Sequence, residues 1–309
     1  MKSLTTQVFP NFVSSAMPSS SLDGKPTPKQ SHEDVRLMNL LLIPTLLGTS
    51  ALFGLGIWLS QCVKSRAQKL FLVCISLVGA VPALLFVIGY TGILGEAKWF
   101  YTFRSWPGSE LTASGAGLIA GWVQARRKQS QRVRKQMSAG FFPFILFLCV
   151  TIPYLKQICL RPDWSNFSDR WSDGVCLQSS ESSCGPASVV TLLQLAGKST
   201  NEREIAMESF TSRRGTENWY LVRTLRRHGL NVNYSIGPPG WKDLPFPAII
   251  GVRLGSKNGA GHFIAVLGKA GKKYIVGDPL NGREKLDESQ LQDRYYFTGF
   301  SIVVVTEHH

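Results

Sequence analysis

Two long runs of apolar residues near the start of the chain constrain its fold most. They cover about residues 37–59 and 70–94, and neither contains a charged side chain. A helix needs ~20 apolar residues to cross a bilayer, so each run is long enough to do so. The alternative is a pair of core helices buried in a soluble protein. Uncharged runs of this length favour the membrane interpretation.

Two further apolar segments follow, and they differ from each other in length and composition. The segment 109–124 is short and rich in Gly, Ala and Ser, which let helices approach closely in lipid. It is interpreted as a weak third span, or equally as a re-entrant or interfacial segment. The segment 138–156 is strongly apolar. We therefore predict an α-helical membrane region of three to four spans over 36–156, preceded by a polar, disordered tail at 1–35 without a signal-peptide pattern.

Basic residues cluster beside these runs. The net charge is +14, and the segments 60–69 and 125–137 contribute three and six basic residues without one acidic residue. Such clusters typically mark the cytoplasmic ends of membrane helices, so the pattern favours a lipid bilayer over nucleic acid as the partner. With three or four spans, everything after residue 156 is predicted outside the cytoplasm. Only the side of the N-terminal tail depends on whether the third segment spans.

From residue 157 the pattern becomes that of a soluble domain. Helices are predicted first, each opened by Ser, Asn or Thr and two of them ended by Gly. Short strands between Gly, Pro and Asn turns follow. Helices followed by a mostly antiparallel sheet indicate an α+β domain over 157–309. The predicted helices are 184–196, 201–210, 216–228 and 287–294, and the predicted strands are 230–236, 248–254, 263–267, 274–277 and 300–305.

Cys184 is the first candidate for chemistry. It stands in Ser182-Ser183-Cys184-Gly185-Pro186, at the predicted start of a helix. Unpaired N–H groups and a partial positive charge at that place favour a thiolate and can stabilise an oxyanion. The alternative is a buried structural cysteine. Its position before the apolar stretch, rather than within it, favours a nucleophile.

A thiolate nucleophile needs a base, and His262 is the best-placed histidine. It follows Gly259-Ala260-Gly261 and opens a predicted strand. Asp278 ends the next predicted strand, where it would lie beside His262 if the two strands pair and would hold its tautomer. The alternatives are a histidine at a strand edge without a chemical role and an Asp-Pro turn. The combination of His262 and Asp278 with Cys184 favours the catalytic interpretation.

These residues resemble peptidase family C39, the papain-like bacterial cysteine peptidases that cleave double-glycine leader peptides. Gln178-x5-Cys184-Gly-Pro, Gly261-His262-Phe263 and Asp278-Pro279 carry the resemblance, which covers about 172–305. It implies a papain-like fold, a peptide or protein substrate, no cofactor, and Gln178 as oxyanion donor. The chain lacks the phosphate-binding loop of an ABC transporter. It is therefore similar to stand-alone, membrane-anchored members, and a separate exporter partner stays unknown.

Localisation and cysteine pairing follow from the topology. The expectation is a multi-pass protein of the bacterial inner membrane with its peptidase domain on the periplasmic or extracytoplasmic side. An oxidising compartment would allow a Cys159–Cys176 disulfide. The other interpretation is two unpaired thiols. Two functional alternatives also stay open: a catalytically silent peptide-binding or sensing module, and a related thiol amidase or transacylase.

Overall fold

The computed structural model describes residues 40–129, 141–237, 240–241 and 243–305. The predicted disordered tail, the first residues of the first apolar run and most of the second basic cluster lie outside the described residues. The described part begins with a bundle of apolar helices and continues into a mixed helix and sheet domain. The helices of the first part are α1 (Leu42–Cys62), α2 (Arg66–Tyr90), α3 (Lys98–Arg104), α4 (Ala116–Gln129) and α5 (Phe141–Cys159).

The four long helices alternate in direction. Gly117 of α4 approaches the backbone of Thr49, and Gly121 approaches that of Phe53, so α4 runs parallel to α1. Tyr154, near the end of α5, shares a hydrogen bond of 2.8 Å with Thr45, near the start of α1. The ends of α1 and α4 therefore lie at one end of the bundle, and the end of α5 lies at the other.

Glycine makes the contact between α1 and α4 possible. A Cβ atom on Gly121 would lie 2.0 Å from the carbonyl oxygen of Phe53, and one on Gly56 would lie 2.3 Å from that of Leu118. Both distances are shorter than any real contact, so only glycine fits. Small residues that bring helix backbones together are typical of packing in lipid. This contact accounts for the glycine-rich composition of the weakly apolar third segment.

The outer surface of the bundle is apolar. Helices α1 and α2 are the two described helices that are long and apolar enough to cross a membrane, by length and composition only. Their large side chains point away from the protein: Leu70 is 66% exposed and Val78 is 73% exposed. A core helix of a soluble protein would bury such side chains. Three or four spans are not established by these observations.

Between α2 and α4 lies a segment that consists of α3 and a 3₁₀ turn over Ser109–Gly115. The sequence patterns did not indicate α3, and they included the 3₁₀ turn in the weak third span over 109–124, where the structure begins a helix only at Ala116. Tyr101 of α3 packs against Tyr234 and Phe300 of the C-terminal domain, with ring centroids 5.7 Å from each. The predicted border at residue 157 falls within α5, which continues to Cys159. Tyr101, which precedes that border, packs against the core of the C-terminal domain.

Two of the four described helices in the C-terminal domain begin with a side-chain cap, and the helix predicted from Thr216 begins at Asn218 instead. Asn201 caps its helix by accepting a hydrogen bond from the Glu204 amide at 2.8 Å, and Asp287 forms a capping box with Gln290. Ser183 precedes the helix that begins at Cys184. Its hydroxyl donates to the Ser180 carbonyl and does not cap that helix. The bounds are α6 (Cys184–Leu195), α7 (Glu202–Glu208), α8 (Asn218–Arg227) and α9 (Glu288–Arg294).

The described strands form one antiparallel six-stranded sheet and a separate two-stranded sheet. The larger sheet has the order β3-β8-β4-β5-β6-β7, which confirms the predicted helices-then-antiparallel-sheet domain. Helices α6 and α8 cover one of its faces, and α9 lies against the other. The strands are β1 (Arg170–Ser172), β2 (Val175–Leu177), β3 (Val232–Ile236), β4 (Ala248–Leu254), β5 (Gly261–Ala270), β6 (Lys273–Asp278), β7 (Gly282–Leu286) and β8 (Tyr295–Val304).

Candidate active site

Cys184 is the first residue of α6 and is 8% exposed. The loop before it is held by a serine network, in which the Ser180 amide donates to Ser183 Oγ at 3.0 Å. The first amides of a helix have no acceptor within that helix, and Cys184 stands at this position. The sequence predicted this location.

His262 lies near the start of β5, opposite Val252 of β4, and is 6% exposed. Its Nε2 atom is 2.8 Å from Oδ1 of Asp278. Because the carboxylate accepts from Nε2, the proton of the neutral ring lies on that atom, and Nδ1 is the nitrogen left for Cys184. The structure therefore brings together the histidine and the aspartate that the sequence suggested as a pair.

The pKa of His262 is raised to about 9. Burial alone would lower it, since a charged ring is poorly solvated there. The hydrogen bond to Asp278 and the hydrogen bond and charge of Cys184 outweigh burial and favour the protonated ring. The geometry thus stabilises an imidazolium between a carboxylate and a sulfur.

Asp278 ends β6 and is fully buried. Three further groups hold its carboxylate. Tyr295 donates to Oδ2 at 2.5 Å, Asn281 Nδ2 donates to the same oxygen at 2.7 Å, and the Leu280 amide donates to Oδ1 at 2.9 Å. Burial would raise the pKa of Asp278, but the hydrogen bonds from His262, Tyr295 and the Leu280 amide lower it to about 2.

Sequence reasoning did not find Tyr295 and Asn281. Asn281 had a weak signal, since Asp-Pro-Leu-Asn is a turn in which a nearby amide can bond the aspartate. Tyr295 had none, because a phenol 17 residues away in another strand forms no recognisable motif. Tyr295 can bond Asp278 only because the folded chain brings the start of β8 next to the end of β6.

Gln178 begins the loop that leads from β2 to Cys184. Its main-chain amide donates to the Pro279 carbonyl at 2.9 Å, which ties this loop to the turn after Asp278. Its side-chain Nε2 donates to the Ser180 carbonyl at 2.8 Å, and its Oε1 is buried with no hydrogen-bond partner among the described residues. The residue is thus placed beside the cysteine loop, with its amide turned toward that loop.

The Cys159–Cys176 disulfide is not present in the structure, where all six cysteines are free thiols. Cys159 is exposed at the end of α5, whereas Cys176 is fully buried in the core beneath α6. The Cys176 amide donates to Thr191 Oγ1 at 3.0 Å, which holds β2 against the helix. Burial raises the pKa of the Cys176 thiol, as expected for a small core side chain.

Across the described ranges, no group of three or more His, Cys, Asp or Glu side chains is arranged to hold a metal ion. The site itself brings together a thiol, an imidazole and a carboxylate, with the thiol at the start of a helix. Such a set can perform acyl transfer.

The comparison with family models decides the classification of this domain. Residues 173–308 match the model of the Peptidase C39 family. The segment is a C39 peptidase domain. The match covers the cysteine, histidine and aspartate described above, and its start lies between β1 and β2.

Solved structures similar to the C39 domain are peptidase domains of bacterial transporters. One is the "double glycine motif protease from AMS/PCAT transporter in complex with the leader peptide", at 23% identity and a TM-score of 0.35, covering 42% of this chain and 88% of that one. A second is the peptidase domain of Streptococcus ComA, at 20% identity and a TM-score of 0.36, covering 43% and 98%. The search of curated proteins found no match.

Proposed function

We propose that this chain is a membrane-anchored cysteine peptidase that cleaves a peptide or protein substrate. The observation that carries the proposal is the hydrogen bond between His262 Nε2 and Asp278, which leaves Nδ1 for the thiol at the start of α6. The family match supports a peptidase-like function. A protein that only binds a peptide has no need for a buried imidazolium held between a carboxylate and a cysteine.

The mechanism follows from the positions of the groups. The Cys184 thiolate attacks the carbonyl carbon of the scissile peptide, and its electron pair forms the C–S bond. The oxyanion is held by the main-chain N–H of Cys184 and by the amide of Gln178, which exchanges its bond with Ser180 for the substrate oxygen. His262 protonates the leaving amine. It then deprotonates the water that hydrolyses the thioester.

The helical bundle is proposed as the membrane anchor. The exposed apolar surfaces of α1 and α2 and the glycine contacts between α1 and α4 support this role. The alternating directions put the basic residues after α1 and those at the end of α4 at one end, which is the cytoplasmic end by the positive-inside rule. The C39 domain follows α5 at the opposite end, on the extracytoplasmic side.

The test of the peptidase proposal compares wild type with Cys184→Ala in the native membrane. An electrophilic thiol probe is expected to label Cys184 faster than Cys159, which is the internal control because its thiol is exposed. Peptides that accumulate in cells carrying Cys184→Ala, and not in cells carrying Cys159→Ala, would identify the substrate. Labelling of Cys184 no faster than that of Cys159 would contradict an activated nucleophile.

A further inference from the structure

A cluster of buried charges joins the bundle to the C39 domain. Glu110, in the 3₁₀ turn, and Arg104, at the end of α3, are fully buried, and Arg223 of α8 is 8% exposed. The guanidinium of Arg223 forms a fork on the Glu110 carboxylate, with contacts of 3.0 and 3.1 Å. The same guanidinium also donates to the Arg104 carbonyl at 2.5 Å and to Ser109 Oγ at 3.0 Å. Tyr220 donates to Glu110 at 3.2 Å.

Arg104 completes the cluster without hydrogen bonds. Its guanidinium lies between the rings of Phe86 in α2 and Trp219 in α8, 4.4 and 4.7 Å from their centroids. Its three side-chain nitrogens have no hydrogen-bond partner among the described residues, and Glu110 is 3.7 Å away. Burying two cations and one anion is costly, and a hydrophobic contact would join two elements more cheaply. A charged cluster, unlike a hydrophobic contact, restricts α8 to one orientation on the bundle.

The opposite side of α8 lies against the candidate nucleophile. A methyl group placed on Gly185 would be 3.1 Å from Leu221 Cδ1 and 3.4 Å from the ring of Phe263. Gly185 follows Cys184 and Phe263 follows His262. Helix α8 therefore lies between the charged cluster on one side and Gly185, the neighbour of Cys184, on the other.

We propose that Glu110 is a positioning residue for the Cys184–His262 pair, acting through Arg223 and α8. The inference rests on the proposed role of Cys184 as nucleophile. It goes beyond that role because it makes part of the bundle necessary for the geometry of the site. The site is complete only when the 3₁₀ turn before α4 is docked on the C39 domain.

The test uses the full chain in detergent micelles and iodoacetamide as the probe, with alkylation at each cysteine measured by mass spectrometry. Glu110→Gln keeps the shape but removes the charge that orients Arg223. It is expected to slow alkylation of Cys184 by about 10- to 100-fold, the range typical of a misplaced reacting group. Alkylation of Cys159 should not change. The matched control is Glu208→Gln, which removes a carboxylate that pairs with Arg227 at the end of the same helix and should leave Cys184 within twofold.

Arg223→Lys keeps the charge but loses the fork, and it remains informative if Glu110→Gln does not fold. It should give an intermediate rate at Cys184. Wild-type rates in both folded variants, even with lower melting temperatures, would overturn the proposal and leave the cluster a purely structural role. If wild-type Cys184 is itself no faster than Cys159, the peptidase proposal fails. Hydrogen exchange of residues 182–186 then decides positioning separately: faster exchange in Glu110→Gln supports it, and unchanged exchange overturns it.

Discussion

At the scale of single residues, the buried carboxylate of Asp278 accepts a hydrogen bond from His262 and is itself held by the Tyr295 hydroxyl. Cys184, His262 and Asp278 could be predicted because each follows a local signal: a helix start, a strand after glycines, and a strand end. The hydroxyl of Tyr295 and the charges of Glu110 and Arg223 could not be predicted, since they act across elements far apart in sequence. The surroundings of the carboxylate, rather than the triad itself, therefore required the structure.

The pH dependence of activity tests the His262–Asp278 pair. The pKa of His262 is raised to about 9, so the ring carries the proton needed by the leaving amine up to that pH. We expect kcat/KM of wild type to fall as pH rises through about 9. Asp278→Asn removes the charge that favours the protonated ring, so its alkaline limb should lie at lower pH. A limb at the same or higher pH in the variant would contradict this assignment.

The same pair should make stability depend on pH. The folded-state pKa of His262 lies above its ordinary value of 6.5, so its contribution is complete below about pH 6.5 and is lost as pH rises through 9. For Asp278, lowered from 3.8 to about 2, the contribution is present above about pH 4 and is lost as pH falls through 2. Thermal denaturation of wild type from pH 6 to 10 should show a decline that is absent in His262→Ala.

Tyr295→Phe tests the support of the carboxylate. Removing the hydroxyl leaves one oxygen of buried Asp278 with one donor fewer, and a hydrogen bond to a charged group contributes about 1.5–3 kcal/mol. We expect a lower melting temperature. The alkaline limb should not move to lower pH, because the Asp278 carboxylate stays ionised and loses a donor that competes with His262 for its charge. Tyr296→Phe is the control, since its side chain lies on the other face of β8. Equal effects of the two substitutions would argue against a specific role of the Tyr295 hydroxyl.

At the scale of elements, periodicity predicted the strands and helices that have an apolar repeat and missed those that have none. Strand β4 occupies the predicted residues 248–254 because its continuous apolar run is buried on both faces. Strand β7 was missed, since Arg283, Glu284 and Lys285 in an edge strand give no apolar pattern. Helix α3 was missed because its seven residues are fixed by contacts with other elements and not by an amphipathic repeat.

The glycine contact between α1 and α4 gives an element-scale prediction. Gly121→Leu would force α4 away from the Phe53 carbonyl, and overpacking of this kind costs at least about 1–3 kcal/mol. A lower melting temperature in detergent is expected. Gly54→Leu is the matched control, since a Cβ atom at Gly54 meets nothing within 4 Å. If Gly121→Leu and Gly54→Leu have the same melting temperature, α4 is not packed on α1 through Gly121.

At the scale of the whole molecule, the sequence suggested two modules in series, and the structure interleaves them. The half-buried Tyr101 packs against the core of the C39 domain, although it precedes that domain by about 70 residues. No pattern within 97–110 shows which distant surface it will cover, because the partner is specified only by the folded α8 and β3. The apolar runs and basic clusters, in contrast, are properties of composition and could be predicted directly.

Orientation in the membrane can be tested with two cysteines of the chain itself. Cys62 and Cys159 are both exposed and lie at opposite ends of the bundle. In a Cys184→Ala background, a membrane-impermeant maleimide added to intact cells should label Cys159. It should label Cys62 only after permeabilisation. The reverse pattern would place the C39 domain in the cytoplasm and overturn the proposed topology.

The hairpin of β5 and β6 has a consequence for how the site is assembled. His262 and Asp278 lie on adjacent strands only 16 residues apart, and hairpins form within about 1–10 µs. Cys184 is 78 residues from His262, and its helix α6 packs on the sheet as a separate element. Contacts of long sequence separation form late in folding. We therefore expect a newly made or partly unfolded chain to hold the Cys184 thiol and the His262 ring apart until α6 has docked on the sheet.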